Sequence, residues 1–131
     1  MELLALESIV KTQLSVRVPR LLNNSYPTIS FTTEVSDKVP SFPNVYIHEL
    51  EPSEVGNSLE NHEIHAVRDT IQIEVSTNTS KSDARVVANA CVRAMKALSY
   101  GIVVMPTYLQ VNNVHRFVIR TRRIVASGDK L

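Results

Sequence analysis

Hydrophobic and polar residues change period several times along this chain, and each change marks an element. From Met1 to about Leu14, apolar residues fall at Leu3, Leu6, Val10 and Leu14, with Leu4 and Ile9 beside them. That spacing predicts one face of an amphipathic helix, and Pro19 limits how far it runs, because proline lacks the amide a helix interior needs. Thr28 to Val35, "TISFTTEV", follows Tyr26 and Pro27 and is rich in β-branched and aromatic residues, so it reads as a strand or extended arm. Pro40 and Pro43 bracket an extended entry into a strand from Asn44 to Leu50.

Glu51 to His65 breaks the pattern. It is polar, contains Pro52, Gly56, Asn57, Ser58 and Asn61, and predicts a loop of roughly fifteen residues, long for a compact domain unless it has a function. Val67 to Ser76 then alternates. Val67, Asp69, Ile71, Ile73 and Val75 point one way, and Arg68, Thr70, Gln72, Glu74 and Ser76 the other. Asp69 is the exception in the apolar row and is expected near the sheet margin.

The next segment returns to a helical period. Ala84, Val87, Ala88, Cys91, Met95 and Leu98 form an apolar stripe, with Ser80 as N-cap, Asp83 in the first turn and Gly101 as the stop. Many stripe residues are small, which suits close packing on a sheet. Val103 to Val111 is extended but contains Pro106, so it predicts an edge or irregular strand. Asn112 and Asn113 fit a hairpin turn. In the last strand, Val114 to Ala126, His115, Phe117, Ile119 and Thr121 oppose Arg116, Val118, Arg120 and Arg122. The order helix, three strands, helix, two strands predicts an α+β fold: a largely antiparallel sheet of about four to five strands with helices on one face.

Bulk properties narrow the function. The chain has 131 residues, 44% of them apolar, and reads as a single domain, 1–131, with its polar excursion at about 51–66. Fourteen basic and 13 acidic side chains leave a net charge of +1, which gives no whole-molecule attraction to DNA or to an anionic membrane. No apolar run approaches the ~20 residues of a membrane span. The N-terminal stretch carries Glu2 and Glu7 and has no basic region, unlike a signal peptide, so folding in a cytoplasm is expected. The one cysteine, Cys91, excludes an internal disulfide and sits in the apolar stripe as a buried hydrophobe.

Candidate chemistry is sparse. His62 and His65 are three apart in a loop, not four apart on a helix as in the zinc protease motif, and His48 and His115 lie on strands. Glu49, Glu51, Glu54, Glu60 and Glu63 surround a wet polar segment, whereas paired catalytic carboxylates need environments that split their pKa values. Three scattered glycines form no phosphate cradle. No nucleophile, base and orienting group assemble, so no enzyme activity, metal or cofactor is expected. Arg116, Arg120, Arg122 and Arg123 are the dense basic group, and the first three share a strand face. Three readings of that face stand open. It contacts nucleic-acid phosphates, it is a polar outer face paired with acids such as Glu74, or it pairs with the acidic excursion of a neighbouring subunit.

"FPNVYIHELEP", followed by "SLENHEIHAVRDTIQIEVST", the helix "SKSDARVVANACVRAMKAL" and the arginine strand "RFVIRTRR", resembles the tail terminator (tail completion) proteins of long-tailed, siphovirus-like phages. The resemblance runs from Phe42 to Val125, about two thirds of the chain, and is one of ordered pattern. It implies a virion protein that forms a hexameric ring on the head-proximal end of the tail tube, assembled in the host cytoplasm. The ring would stop tube polymerisation and dock to the head connector. Its implied partners are itself, the major tail tube protein and the head-tail connector protein. DNA would pass through the lumen without specific binding, and no membrane or cofactor is involved. A closed ring needs unlike patches on each subunit, and the acidic excursion (Glu51, Glu54, Glu60, Glu63) and basic strand (Arg116, Arg120, Arg122, Arg123) offer opposite signs that could register such a contact. Alternatives are another neck or head-tail joining ring protein, or a small nucleic-acid-binding module using the Arg116 to Arg123 strand.

Overall fold

The computed structural model describes residues 6–34, 40–50, 53–55 and 66–126. The first element, α1 (Leu6–Leu21), is organised by an unbroken four-residue spacing: Leu6, Val10, Leu14, Val18 and Leu22 are all buried. The helix does not stop short of Pro19, which lies in its last turn. The missing amide there loses one bond, but carrying the helix on keeps Val18 and Leu22 in the core, and that burial outweighs one lost bond. Asn23 and Asn24, at φ 54° and 56°, turn the chain out of the helix, as asparagine tolerates left-handed backbone.

The extended arm contracts to β1 (Ser30–Thr32), which pairs in parallel with β2 (Asn44–Glu49). The Thr28 and Ser30 hydroxyls donate to the carbonyls of Phe42 and Ser41, at 2.6 and 2.7 Å, tying the entry into β2 against β1. β3 (Ser53–Val55) runs on beyond β2 along the same partner, β4 (Ala66–Thr77). The polar excursion is therefore shorter than its composition suggests. Three of its residues belong to the sheet, and the connection from Val55 to Ala66 lies outside the described residues.

α2 (Lys81–Ala97) starts where expected: Ser80 Oγ accepts from the Asp83 amide at 3.1 Å. Its left-handed exit residue is Ser99, at φ 69°, and Gly101 instead begins β5 (Gly101–Val111). β5 pairs with β6 (Val114–Ala126) through register shifts between Ile102 and Thr107, the stretch that holds Pro106. The sheet order is β1-β2-β4-β6-β5, antiparallel apart from β1 with β2. Both helices pack on one face, over Val45, Ile47, Ile71, Ile73, Val75, Phe117 and Ile119. The small residues Ala84, Ala88, Ala90, Cys91 and Ala94, all buried, let α2 lie close. The fold is the α+β class that the patterning predicts.

Candidate functional site

With both helices on the inner face, no helix among the described residues covers the outer face of the sheet. Alternation places Tyr46 and His48 of β2, Gln72 and Glu74 of β4, Arg116, Arg120 and Arg122 of β6, and Val104 and Leu109 of β5 on that outer side. The arginines are not equivalent. Arg116 approaches Glu74 at 3.7 Å and donates to Ser76 Oγ at 3.4 Å. Arg120 donates to Gln72 Oε1 at 2.9 Å, and Arg122 is exposed opposite Thr70. Among the described residues, neither Arg120 nor Arg122 has a carboxylate at ion-pair distance. The pairing with Glu74 thus accounts for one guanidinium of the stripe. Arg123 belongs to the opposite face, where it stands across from Asp69 and donates to the Leu98 carbonyl at 3.0 Å.

Of the acidic candidates, Glu54 lies on β3 opposite Val67, while Glu51, Glu60 and Glu63 fall outside the described residues, as do His62 and His65. β3 does fix where the excursion leaves the sheet. Its pairing with Ala66 to Arg68 puts the departure at the Arg122 end of β6.

Beside the arginines runs an apolar margin. Met105 is 65% exposed, Val111 55%, Ile124 53% and Leu109 50%, with Val103 and Val104 also exposed. Most of these lie on β5, an eleven-residue strand with one edge unpaired among the described residues. A long edge with exposed apolar side chains is a template for pairing or docking.

The far end of the same face carries a depression of about 410 Å³. The crossing of the 40–43 segment beside β1 raises its wall, with Pro40 and Phe42, and Tyr46, Glu74 and Arg116 lie on its floor. Glu34, exposed at the rim, adds a second carboxylate.

On the helix side lies a polar group that the sequence pattern misplaces. Asp69 is not at a sheet margin. It is fully buried, paired across β4 and β6, and its Oδ2 accepts a 2.6 Å bond from the Tyr100 hydroxyl. Glu49 is half-buried, with its Oε2 out of solvent. Burial, then a hydrogen bond and charge repulsion from Asp69, then the charge of Glu7, push its carboxyl up to about 8. Glu7 Oε2 accepts from the Glu49 amide at 2.9 Å, on the side of β2 where β1 no longer reaches. Glu49 Oε2 and Asp69 Oδ1 are both buried without a donor. A proton on Glu49 would supply the donor that these two oxygens lack. Burial also raises Tyr100, helped by its bond to Asp69. The signal for this group was the Asp in an apolar row, read with a tyrosine just past the helix.

The remaining candidates have plain roles. His115 Nδ1 bonds the Tyr108 hydroxyl at 2.7 Å, His48 is exposed with its ring edge-on to Tyr46, and burial raises the Cys91 thiol to about 12, far from a reactive thiolate. Among the described residues no group of three His, Cys, Asp or Glu is placed to hold a metal, and no helix is long and apolar enough to cross a membrane. The chain matches no protein-family model and no curated protein sequence.

Proposed function

We propose that this protein is a structural, ring-forming subunit of the tail terminator type. It caps the head-proximal end of a phage tail tube, stops tube growth and presents the surface that docks to the head connector. It acts within the virion after assembly in the host cytoplasm, with itself, the tube protein and the connector as partners, and DNA passing through the lumen unbound. The observation that carries this reading is the uncovered sheet face, which sets arginines without a carboxylate partner among the described residues beside the exposed apolar margin of a long edge strand. A surface of that kind serves contact with other protein chains, and a subunit held on two sides needs such faces.

Electron microscopy of tails assembled without this protein tests the reading. Tubes of irregular length without heads are expected. Tubes of normal length that fail only to join heads would instead identify a neck ring component, and normal, head-bearing tails would sink both readings.

A further inference from the structure

The outer face is polar along its length in a way that its own described residues do not satisfy. At one end, Glu34 and Glu74 line the depression against one guanidinium, that of Arg116, held 3.7 Å from Glu74. Glu34 has no ion-pair partner among the described residues. At the other end, Arg122 is exposed, and Arg120 beside it bonds an amide. Arg116 and Arg122 lie on one strand, and six residues at ~3.3 Å each set the two ends roughly 20 Å apart. No arginine side chain spans that distance, so the two ends cannot neutralise each other within one chain.

We infer that this face makes a head-to-tail contact with a second copy of the chain, in which Arg122, with Arg120 beside it, enters the acid-lined depression of its neighbour. Resting on the reading of the protein as a ring subunit, the inference names the two patches that meet. The depression suits the side chain it is assigned. Its volume of about 410 Å³ is that of a binding pocket. Phe42, Tyr46 and Pro40 offer apolar and aromatic surface to an arginine stem and guanidinium plane, and the carboxylates of Glu34 and Glu74 offer charge. The contact also covers apolar surface, because Val104 of β5 stands opposite Arg120. The two patches differ, so the contact is heterologous. Repeated, it propagates around a ring and does not close as a two-fold dimer.

Light scattering on the full chain tests this with two single variants, Arg122→Glu and Glu34→Lys. Both side chains are exposed and without an ion-pair partner among the described residues, so circular dichroism and urea midpoints should match the wild type. Each variant alone sets like charges together and should raise the concentration for half-assembly by roughly tenfold or more. Mixed in equal amounts, the two variants can alternate. At one junction the charge-reversed strand of Arg122→Glu meets the charge-reversed depression of Glu34→Lys, and at the next the native Arg122 meets the native Glu34. Every junction then joins opposite charges, and the mixture should recover the wild-type mass. Wild-type assembly by both single variants would overturn the contact while leaving the ring reading standing. A two-fold dimer as the wild-type species would overturn the head-to-tail contact, with the tail-length experiment still deciding the role. Loss of assembly without rescue on mixing would overturn the pairing of these two patches. A wild-type chain that stays monomeric up to about millimolar concentration would overturn the self-contact, with the tail-length experiment still deciding the role.

Discussion

The Tyr100 hydroxyl donates a 2.6 Å hydrogen bond to Asp69 Oδ2, and both side chains are buried. The bond ties the end of α2 to the middle of the sheet, since the Tyr100 amide also donates to Met95 O and Arg123 holds the Leu98 carbonyl. Tyr100→Phe keeps the ring and removes only the donor. Asp69 Oδ2 then loses that bond, and a buried acceptor left bare costs about 1–3 kcal/mol. Urea unfolding should show that loss with an unchanged slope. A midpoint equal to the wild type would mean that Asp69 draws its support from elsewhere.

Glu49 should make stability fall as pH rises. Its folded carboxyl is held up to about 8 from an ordinary 4.5, first by burial and then by Asp69 and Glu7. Folded protein therefore keeps a proton that the unfolded chain has lost. The contribution is fully present below pH 4.5, erodes above it, and is gone once pH passes 8. Asp83 works in the opposite sense. Hydrogen bonds from Thr79 and Tyr26 lower its carboxyl below 3.8, so its contribution is lost only in acid. Glu49→Gln places a permanent donor where the protonated acid stands. Urea midpoints from about pH 5 to about pH 9 should slope down less steeply for this variant than for the wild type. Parallel curves would remove Glu49 as the source of the slope.

Element type was legible wherever one face of an element is buried. The strand β4, the cap and stripe of α2 and the span of β6 all follow from periods of two or 3.6 set by a single core. Where two forces compete, the sequence misled. Pro19 signals a stop, yet the buried row of Val18 and Leu22 carries α1 past it. Asp69 signals a margin and Glu49 a wet surface, because a lone carboxylate in sequence does not reveal the tyrosine or second carboxylate that folding brings to it. The arginine face was legible as an alternating row. The depression was not, because its walls join residues of β1, the 40–43 segment, β2, β4 and β6.

The edge strand should carry association without carrying stability. Met105 and Leu109 are at least half exposed, so Met105→Asp and Leu109→Asp remove little buried surface, and each should change unfolding free energy by about 0.5 kcal/mol or less. If β5 is part of an interface, the double variant should nevertheless shift sedimentation of the full chain towards monomer. Loss of stability of several kcal/mol would show instead that these side chains support the fold of the monomer.

Binding to duplex DNA separates a ring subunit from a nucleic-acid module. Arg116 is partly committed to Glu74, which leaves Arg120 and Arg122 of the stripe, with the exposed Arg68 of β4 on the same face, open to phosphate. Neutralising about two or three phosphates gives a salt slope of about −2 to −3, too shallow for tight binding at physiological ionic strength. Net charge of +1 adds no general attraction. Fluorescence anisotropy with a labelled duplex should therefore find weak retention at low salt, lost by about 150 mM. Arg120→Glu with Arg122→Glu should abolish even that retention. Micromolar binding at physiological salt with a steep slope would require more cationic contacts than this face offers, and would favour the nucleic-acid reading over the ring.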